Sequence, residues 1–175
     1  MQSTGQAVVV WQSFGQDGSF EGVFARRLDA NGQPQGTDVQ VNQVTAGRQR
    51  DASVAIDAAG NFVVVWENFT LAGRSDIIAR RFNADGTPNG NEFLINGVDN
   101  GLINQAFPNI AMAADGSFVV TWTSNNQDAI DPEEEGSLGV FARRFDATGT
   151  AISDEIRVNN TTIDDQQEAR RGDRL

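Results

Sequence analysis

Short runs of apolar residues recur along the chain at nearly constant intervals. Each run ends in tryptophan: "QAVVVW" at 6–11, "NFVVVW" at 61–66 and "SFVVTW" at 117–122. A second motif follows each run, reading "VFARRLDANG" at 23–32, "IIARRFNADG" at 77–86 and "VFARRFDATG" at 140–149. The chain therefore contains three copies of one unit of about 55 residues.

The apolar runs predict β-strands. They are short, rich in β-branched and aromatic residues, and most are preceded by a glycine turn, and none shows helical periodicity. In the second unit four strands are predicted, over 53–57, 62–67, 76–83 and 92–96, with tight turns such as Asp85-Gly86 between them. Because these connections are short, the strands should form an antiparallel meander.

Alternation along the Trp-bearing strand predicts the fold class. Phe62, Val64 and Trp66 should lie on one face of the sheet, and Val63 and Val65 on the other. Both faces therefore need apolar neighbours, as in the four-stranded blade of a β-propeller, with a β-sandwich as the alternative. We predict an all-β protein of about three consecutive blades, incomplete and not closed by this chain alone.

The units divide residues 1–175, a single repeat domain, into four segments. A partial blade that lacks its first strand covers 6–50, full blades cover 51–106 and 107–160, and 161–175 is a degenerate or disordered tail. Within each "ARR", neighbouring arginines such as Arg80 and Arg81 should point to opposite faces, toward the preceding and the following blade. Carboxylates such as Asp57, Glu67 and Glu92 are the expected partners of these arginines.

The amino-acid composition limits the classes of function that the chain can have. The chain has 24 acidic and 13 basic residues, a net charge of −11, which disfavours nucleic acid as a partner. Cysteine, histidine, tyrosine and lysine are absent, so catalysis would have to use carboxylates, hydroxyls and arginine. No pair of carboxylates is placed by the sequence at a working separation, so we predict that the protein is not an enzyme. No apolar run approaches the roughly 20 residues of a membrane span.

Candidate binding residues lie in the loops that differ between units, at 12–22, 67–76 and 123–139. Variable loops are where repeat proteins place recognition, and the first two supply five candidate ligand-binding residues: Phe14, Asp17, Glu21, Phe69 and Asp76. The third loop is acidic and offers a candidate Ca²⁺ site, although a run of charges is also typical of a solvated loop. Its proposed ligands are Asp128, Asp131, Glu133, Glu134 and Glu135. No cofactor is required by this interpretation.

The motifs "G-N/S-F-V-V-x-W" and "A-R-R-F" resemble repeats of large secreted or cell-surface proteins of bacteria, including cyanobacteria. Such repeats often lie beside haemolysin-type calcium-binding and cadherin-like modules. The resemblance covers about 6–160 and implies an extracellular or cell-surface module that is non-enzymatic, structural or adhesive. Its partners would be further blades of the parent chain or identical chains. The alternatives are a lectin-like module that binds glycans and a glycoside hydrolase that uses carboxylates.

Overall fold

The computed structural model describes residues 5–97, 104–125, 127 and 138–160. This part of the chain is all-β and has eleven strands in three antiparallel sheets. It contains no helix long and apolar enough to cross a membrane.

Each sheet is a meander of strands that are consecutive in the chain. The first contains β1 (Ala7–Phe14), β2 (Glu21–Leu28) and β3 (Pro34–Gln40). The second contains β4 (Arg48–Ile56), β5 (Phe62–Phe69), β6 (Ser75–Phe82) and β7 (Phe93–Leu94). The third contains β8 (Gln105–Met112), β9 (Phe118–Asn125), β10 (Leu138–Phe145) and β11 (Ile156–Arg157). The predicted strand order is confirmed, and the first sheet has three strands among the described residues.

The predicted segment boundaries at 50/51 and 106/107 fall inside β4 and β8, and the division of the chain into these segments stays a prediction. β4 begins at Arg48 and β8 at Gln105, before their apolar residues. The polar start of β4 still pairs with β5, with Arg50 opposite Glu67 and Arg48 opposite Phe69. This polar segment forms a strand because its backbone groups are hydrogen-bonded to a neighbouring strand. The hydrophobic pattern of the sequence does not indicate such backbone pairing.

The sheets pack face to face in chain order. One apolar cluster joins the first and second sheets and contains Phe62, Val64 and Trp66 of β5. Another joins the second and third sheets and contains Val63 and Val65 of the same strand. The alternation predicted for this strand is therefore confirmed, and the second sheet lies between the other two. Trp66 and Trp122 are buried at equivalent positions, whereas Trp11 is half-buried.

The arginines of the "ARR" motif connect neighbouring sheets, one in each direction as predicted. Arg80 Nη1 donates to the Val41 carbonyl of the preceding sheet at 2.9 Å. Arg81 Nη1 donates to the Ala147 carbonyl of the following sheet at 3.4 Å. The predicted pairing with carboxylates occurs in the first sheet, where Arg26 Nη1 lies 3.3 Å from Asp38 Oδ1. The contacts of Arg80 and Arg81 to the neighbouring sheets use backbone oxygens as acceptors instead. A carbonyl acceptor is independent of side-chain identity, so a pattern of charged residues does not reveal it.

A repeated asparagine, which sequence reasoning missed, anchors each sheet. Asn42, Asn96 and Asn159 each lie two residues after the last strand of a sheet ends. Each side-chain oxygen accepts from a backbone N–H of the preceding strand, β2, β6 or β10, at 2.9 Å. The "VN", "IN" and "VN" dipeptides at 41–42, 95–96 and 158–159 are the signal that could have identified it.

Candidate functional site

The variable loops share one rim of the molecule. Strands alternate in direction, so the loops β1–β2, β5–β6 and β9–β10 lie at the same end of their sheets. The start of β4 reaches this rim as well, because Arg48 pairs with Phe69 at the end of β5. Charged and aromatic side chains of the first two sheets meet here.

A buried glutamate and an arginine form the centre of this group. Glu67 on β5 is 1% exposed. Its Oε1 accepts hydrogen bonds from Arg50 Nη2 at 2.8 Å and from Arg50 Nε at 3.3 Å. The other carboxylate oxygen, Oε2, is buried and has no hydrogen-bond partner among the described residues. Arg50 is therefore the cation that compensates the charge of this buried carboxylate.

The surroundings of Glu67 favour its protonated form. Burial raises the pKa of Glu67, the hydrogen bond and charge of Arg50 lower it in part, and Asp51 raises it further by its charge and a side-chain hydrogen bond. The pKa of Arg50 is also raised, chiefly by its hydrogen bond to Glu67, and this favours the charged form of the guanidinium.

Asp51 sits at a β-bulge that turns it toward solvent. The register of β4 and β5 shifts between Arg50 and Ser53, and Asp51 has a φ of 53°. Its backbone N–H donates to Gln12 Oε1 of the first sheet at 3.1 Å. Bulges often re-aim a side chain beside a functional site, and the left-handed φ is uncommon for a residue other than glycine. The Asp51 side chain remains 39% exposed.

A second arginine and a second glutamate extend the group toward the first sheet. Arg48 Nε lies 3.7 Å from Glu21 Oε2, and the charge of Glu21 also acts on Arg50. The name arginine–carboxylate cluster is used below for Glu21, Arg48, Arg50, Asp51 and Glu67. It holds three carboxylates and two guanidinium groups, which can donate to and accept from a polyhydroxylated ligand.

Three phenylalanines border the arginine–carboxylate cluster. The guanidinium carbon of Arg48 lies 5.4 Å from the centroid of Phe20, and that of Arg50 lies 5.4 Å from the centroid of Phe69. Phe14 packs edge-on against Phe20 with 6.4 Å between ring centroids. Phe14 is 75% exposed and Phe20 is 40% exposed. These exposed rings are not packed in the core, so their apolar surface is accessible to a ligand beside the charged groups.

The structure brings three of the five predicted ligand-binding residues together. Phe14, Glu21 and Phe69 border or belong to the arginine–carboxylate cluster. Asp17 instead accepts from Asn42 Nδ2 at 2.9 Å, and Asp76 accepts from Asn96 Nδ2 at 3.0 Å. These two aspartates hold equivalent anchoring asparagines, so each has a structural partner; their binding role stays a prediction.

Comparing equivalent positions of the repeat units distinguishes residues that belong to the shared fold from residues that are specific to this site. Buried Gln49 recurs as Gln105, and the bulge at Asp51 recurs at Phe107, which also has a φ of 53°. In contrast, Arg50 corresponds to Ala106, and Glu67 corresponds to Thr123 and Gln12. The bulge therefore belongs to the repeat, whereas the buried ion pair occurs in the second unit alone. Sequence reasoning missed Arg50, Asp51 and Glu67 as site residues, although aligning the units position by position would have singled them out.

Cavities on the opposite rim are lined by strand residues and by the turns within each sheet. One of about 260 Å³ lies between the first two sheets and is lined by residues that include Arg26, Arg27 and Thr87. Another of about 160 Å³ lies between the second and third sheets and includes Arg81. These arginines serve the packing of the sheets, and we therefore place the candidate site at the variable rim.

The turns on that opposite rim use their aspartates for turn geometry. Asp115 accepts from the backbone N–H and the hydroxyl of Ser117, and Asp85 and Asp146 bind Thr87 and Thr148 in the same way. These hydrogen bonds lower the pKa of all three aspartates.

The predicted calcium ligands Asp128, Asp131, Glu133, Glu134 and Glu135 lie outside the described residues. Within the described ranges, no group of three or more acidic side chains is arranged to hold a metal ion.

Comparison with known proteins places the chain by its fold. No protein-family model matches the chain. No curated protein matches it. Among solved structures, an endo-arabinase from Bacteroides thetaiotaomicron VPI-5482 superposes with a TM-score of 0.56 and 16% identity, over 89% of this chain. The chain spans 59% of the length of that enzyme. A fucose lectin from Kordia zhangzhouensis, solved with methyl-fucoside, matches with a TM-score of 0.44 and 16% identity, over 91% of this chain and 94% of the lectin.

The likeness to the endo-arabinase corrects one prediction. We predicted that the protein is not an enzyme, because no pair of carboxylates was visible in the sequence. That exclusion is wrong, since the fold of this chain is shared with an enzyme and the structure also brings Asp51 against Glu67. The two residues are sixteen positions apart, and only the pairing of β4 with β5 makes them neighbours.

Proposed function

We propose that the protein is an extracellular repeat module that binds carbohydrate at the arginine–carboxylate cluster. In this proposal its three sheets are successive blades of a β-propeller, and the module belongs to a bacterial surface protein. The observation that carries the proposal is the non-repeated buried pair Arg50–Glu67 beneath exposed Asp51, Phe14 and Phe20.

The propeller arrangement is supported by how the sheets meet. Each sheet is an antiparallel meander with two apolar faces, and successive sheets pack through equivalent strands. Propeller blades have this construction, and their loops at one end commonly bind ligands. The shared fold with the endo-arabinase is consistent with it.

Carbohydrate suits the chemistry of the arginine–carboxylate cluster. A sugar presents hydroxyl groups that both donate and accept, together with an apolar ring face. Asp51 accepts from hydroxyls, Arg48 and Arg50 donate to them, and the rings of Phe14 and Phe20 can cover the ring face. Because Arg50 is held by Glu67 and by Phe69, its exposed donors are oriented before the ligand arrives, which lowers the entropy cost of binding.

A glycan array followed by calorimetry tests the proposal. The chain should bind a defined set of glycans, and Phe20→Ala and Asp51→Asn should each weaken binding by about tenfold or more, equivalent to about 1.4 kcal/mol. Leu71→Ala and Arg157→Gln are matched controls, since both residues are exposed and lie outside the arginine–carboxylate cluster. Absence of glycan binding, or equal affinity in all four variants, would contradict the proposal.

The contact between Asp51 and Glu67 favours a second candidate function, hydrolysis of a glycosidic bond. Exposed Asp51 would face the sugar, and Glu67, whose pKa is raised by burial, would lie behind it. The contact is closer than the separation of roughly 5 to 10 Å between the acid and the base or nucleophile of a glycosidase, so a further carboxylate is needed. Glu21, which faces Arg48, is the third carboxylate of the arginine–carboxylate cluster.

Release of reducing sugar from a panel of polysaccharides tests this second function. Asp51→Asn and Glu21→Gln should both abolish release, and Asp38→Asn, an exposed carboxylate of the first sheet, should leave the rate unchanged. Release that persists in Asp51→Asn, or no release from the native chain, would refute the hydrolase function and leave the binding function standing.

A further inference from the structure

The two outer faces of the three-sheet stack are the two halves of one repeated interface. Each sheet meets the preceding one through its Trp-bearing face. Val64 and Val120 are fully buried on this face in the second and third sheets, whereas the equivalent Val9 of the first sheet is 44% exposed. The outer face of the first sheet therefore has the residues of a buried interface, and no sheet covers it among the described residues.

This outer face is already arranged like its buried counterpart. Trp11 stacks on Phe24 with 6.4 Å between centroids and an interplanar angle of 25°. The equivalent pair in the third sheet, Trp122 and Phe141, is separated by 6.4 Å at 24°. The same ring geometry is thus present with and without a covering sheet.

Three kinds of hydrogen bond recur at the two internal interfaces, and each leaves one unmatched partner at either end of the stack. In the first kind, Arg80 and Arg143 donate to the carbonyls of Val41 and Ile95 in the preceding sheet, each at 2.9 Å. The equivalent arginine of the first sheet is Arg26, whose Nε is buried without a hydrogen-bond partner among the described residues. The equivalent carbonyl of the third sheet is that of Val158.

The second kind runs in the other direction. Arg27 and Arg81 donate to the carbonyls of Ala84 and Ala147 in the turn of the following sheet. The equivalent arginine of the third sheet is Arg144, which is exposed. The equivalent turn of the first sheet, "DANG" at 29–32, provides the Ala30 carbonyl.

The third kind joins a carboxylate to a backbone N–H. Glu92 accepts from the N–H of Gln43 at 2.8 Å, and Glu155 accepts from that of Gly97. The equivalent carboxylate of the first sheet is Asp38, and the equivalent N–H of the third sheet is that of Asn160. Within the first sheet Arg26 Nη1 donates to Asp38 Oδ1 at 3.3 Å, and Arg26 Nη2 donates to the Gly36 carbonyl at 2.8 Å. Each repeated contact therefore has one half on the first sheet and the complementary half on the third, and neither half is used across a sheet interface among the described residues.

We propose that the outer face of the third sheet binds the outer face of the first sheet of a second copy of this chain. In the resulting interface Arg26 Nη1 exchanges Asp38 for the Val158 carbonyl, and Asp38 accepts from the Asn160 N–H instead. Arg144 donates to the Ala30 carbonyl. Val119, which is equivalent to Val8 and Val63, packs toward Trp11 and Val9 of the other copy. The two surfaces differ, so association is head-to-tail and forms a ring or a filament.

Head-to-tail binding makes a specific prediction for paired variants. Val9→Arg blocks the outer face of the first sheet, and Val119→Arg blocks that of the third, each with a residue outside the internal interfaces. By sedimentation velocity between about 1 μM and 1 mM, the native chain should grow in mass with concentration above 18.9 kDa. Each variant alone should stay monomeric, whereas an equal mixture of the two should form a dimer of about twice the monomer mass, because one intact face of each kind remains.

Several outcomes would overturn this inference. If the native chain stays monomeric over the whole concentration range, the proposed interface is excluded. This outcome is expected if residues of the chain outside the described ranges cover either outer face. Variants that associate like the native chain, or a mixture that stays monomeric, exclude the head-to-tail geometry. Circular dichroism and urea unfolding of both variants establish that they are folded, and Leu71→Ala, which is exposed on a turn, should associate like the native chain.

Discussion

Replacing Arg50 by methionine leaves a buried carboxylate without its cation. Methionine preserves much of the apolar stem of arginine but cannot donate to Glu67, which keeps 1% exposure on β5. Removing one partner of a fully buried ion pair costs about 3–5 kcal/mol, because the remaining charge is uncompensated. The Arg50 side chain is 39% exposed, so solvent screens part of its interaction with Glu67. We therefore expect Arg50→Met to lose less than this at pH 7, roughly 2–3 kcal/mol.

The loss should depend on pH with a defined sign. Burial already raises the pKa of Glu67, and Arg50 offsets part of that rise, so removing Arg50 raises the pKa further. A carboxyl group with a raised pKa in the folded state binds its proton more tightly when folded. Its contribution is complete below the ordinary pKa of 4.5 and is lost as the pH rises through the folded-state pKa. The slope is at most about 1.4 kcal/mol per pH unit, or about 2.7 kcal/mol between pH 5 and pH 7.

Urea unfolding followed by tryptophan fluorescence measures both quantities. Arg50→Met should be markedly less destabilised at pH 5 than at pH 7, and adding Glu67→Gln should recover most of the loss at pH 7. Arg48→Met is the matched control, since the exposed pair of Arg48 with Glu21 at 3.7 Å should contribute no more than about 1 kcal/mol. An Arg50→Met cost that is independent of pH, or equal to that of Arg48→Met, would refute the assignment of Glu67 as a buried carboxylate dependent on Arg50.

Two further predictions concern the repeated framework. Asn96→Ala removes the acceptor of the buried Ile77 N–H at 2.9 Å, so it should cost about 1–3 kcal/mol in urea unfolding. Asn159→Ala should cost less, because the Val140 N–H that it leaves is only partly buried, and equal costs would contradict this reasoning. The hydrogen bonds that lower the pKa of Asp85, Asp115 and Asp146 should make the fold acid-sensitive in a separate range. This stabilisation is present above the ordinary pKa of 3.8 and is lost as the pH falls through the lower folded-state values. Thermal unfolding between pH 2 and 5 should therefore depend less on pH in Asp115→Ala than in the native chain, and an unchanged pH dependence would refute the role of this turn.

Most of the strand arrangement could be predicted because the same sequence pattern occurs in three repeat units. Phe62, Val64 and Trp66 alternate with Val63 and Val65, and the structure places these two sets in the two clusters on either side of the second sheet. Glycine turns and short connections fixed the meander in the same way. The polar start of β4 could not be predicted, because its strand conformation depends on pairing with β5 and its composition gives no sign of it.

The candidate site was predicted only in part. Phe14, Glu21 and Phe69 were found because they lie in the predicted variable loops, and the structure places them at the ends of strands that border those loops. Arg50 and Glu67 were missed because a charge next to an apolar run was taken for a packing residue. The local sequence "RQRDAS" does not reveal the bulge at Asp51, where φ is 53°. The five residues predicted to bind calcium in the acidic loop lie outside the described residues.

The sequence by itself determined the period, the strands, the two faces of the Trp-bearing strand and the opposed directions of the paired arginines, because all of these follow from local alternation. The tertiary structure alone decided the partners. It gave the arginines of the "ARR" motif backbone carbonyls as acceptors, and it brought Asp51, Glu67 and Arg50 together across β4 and β5. Contacts between strands depend on register and bulges, and a one-residue change in either would direct the same side chains elsewhere.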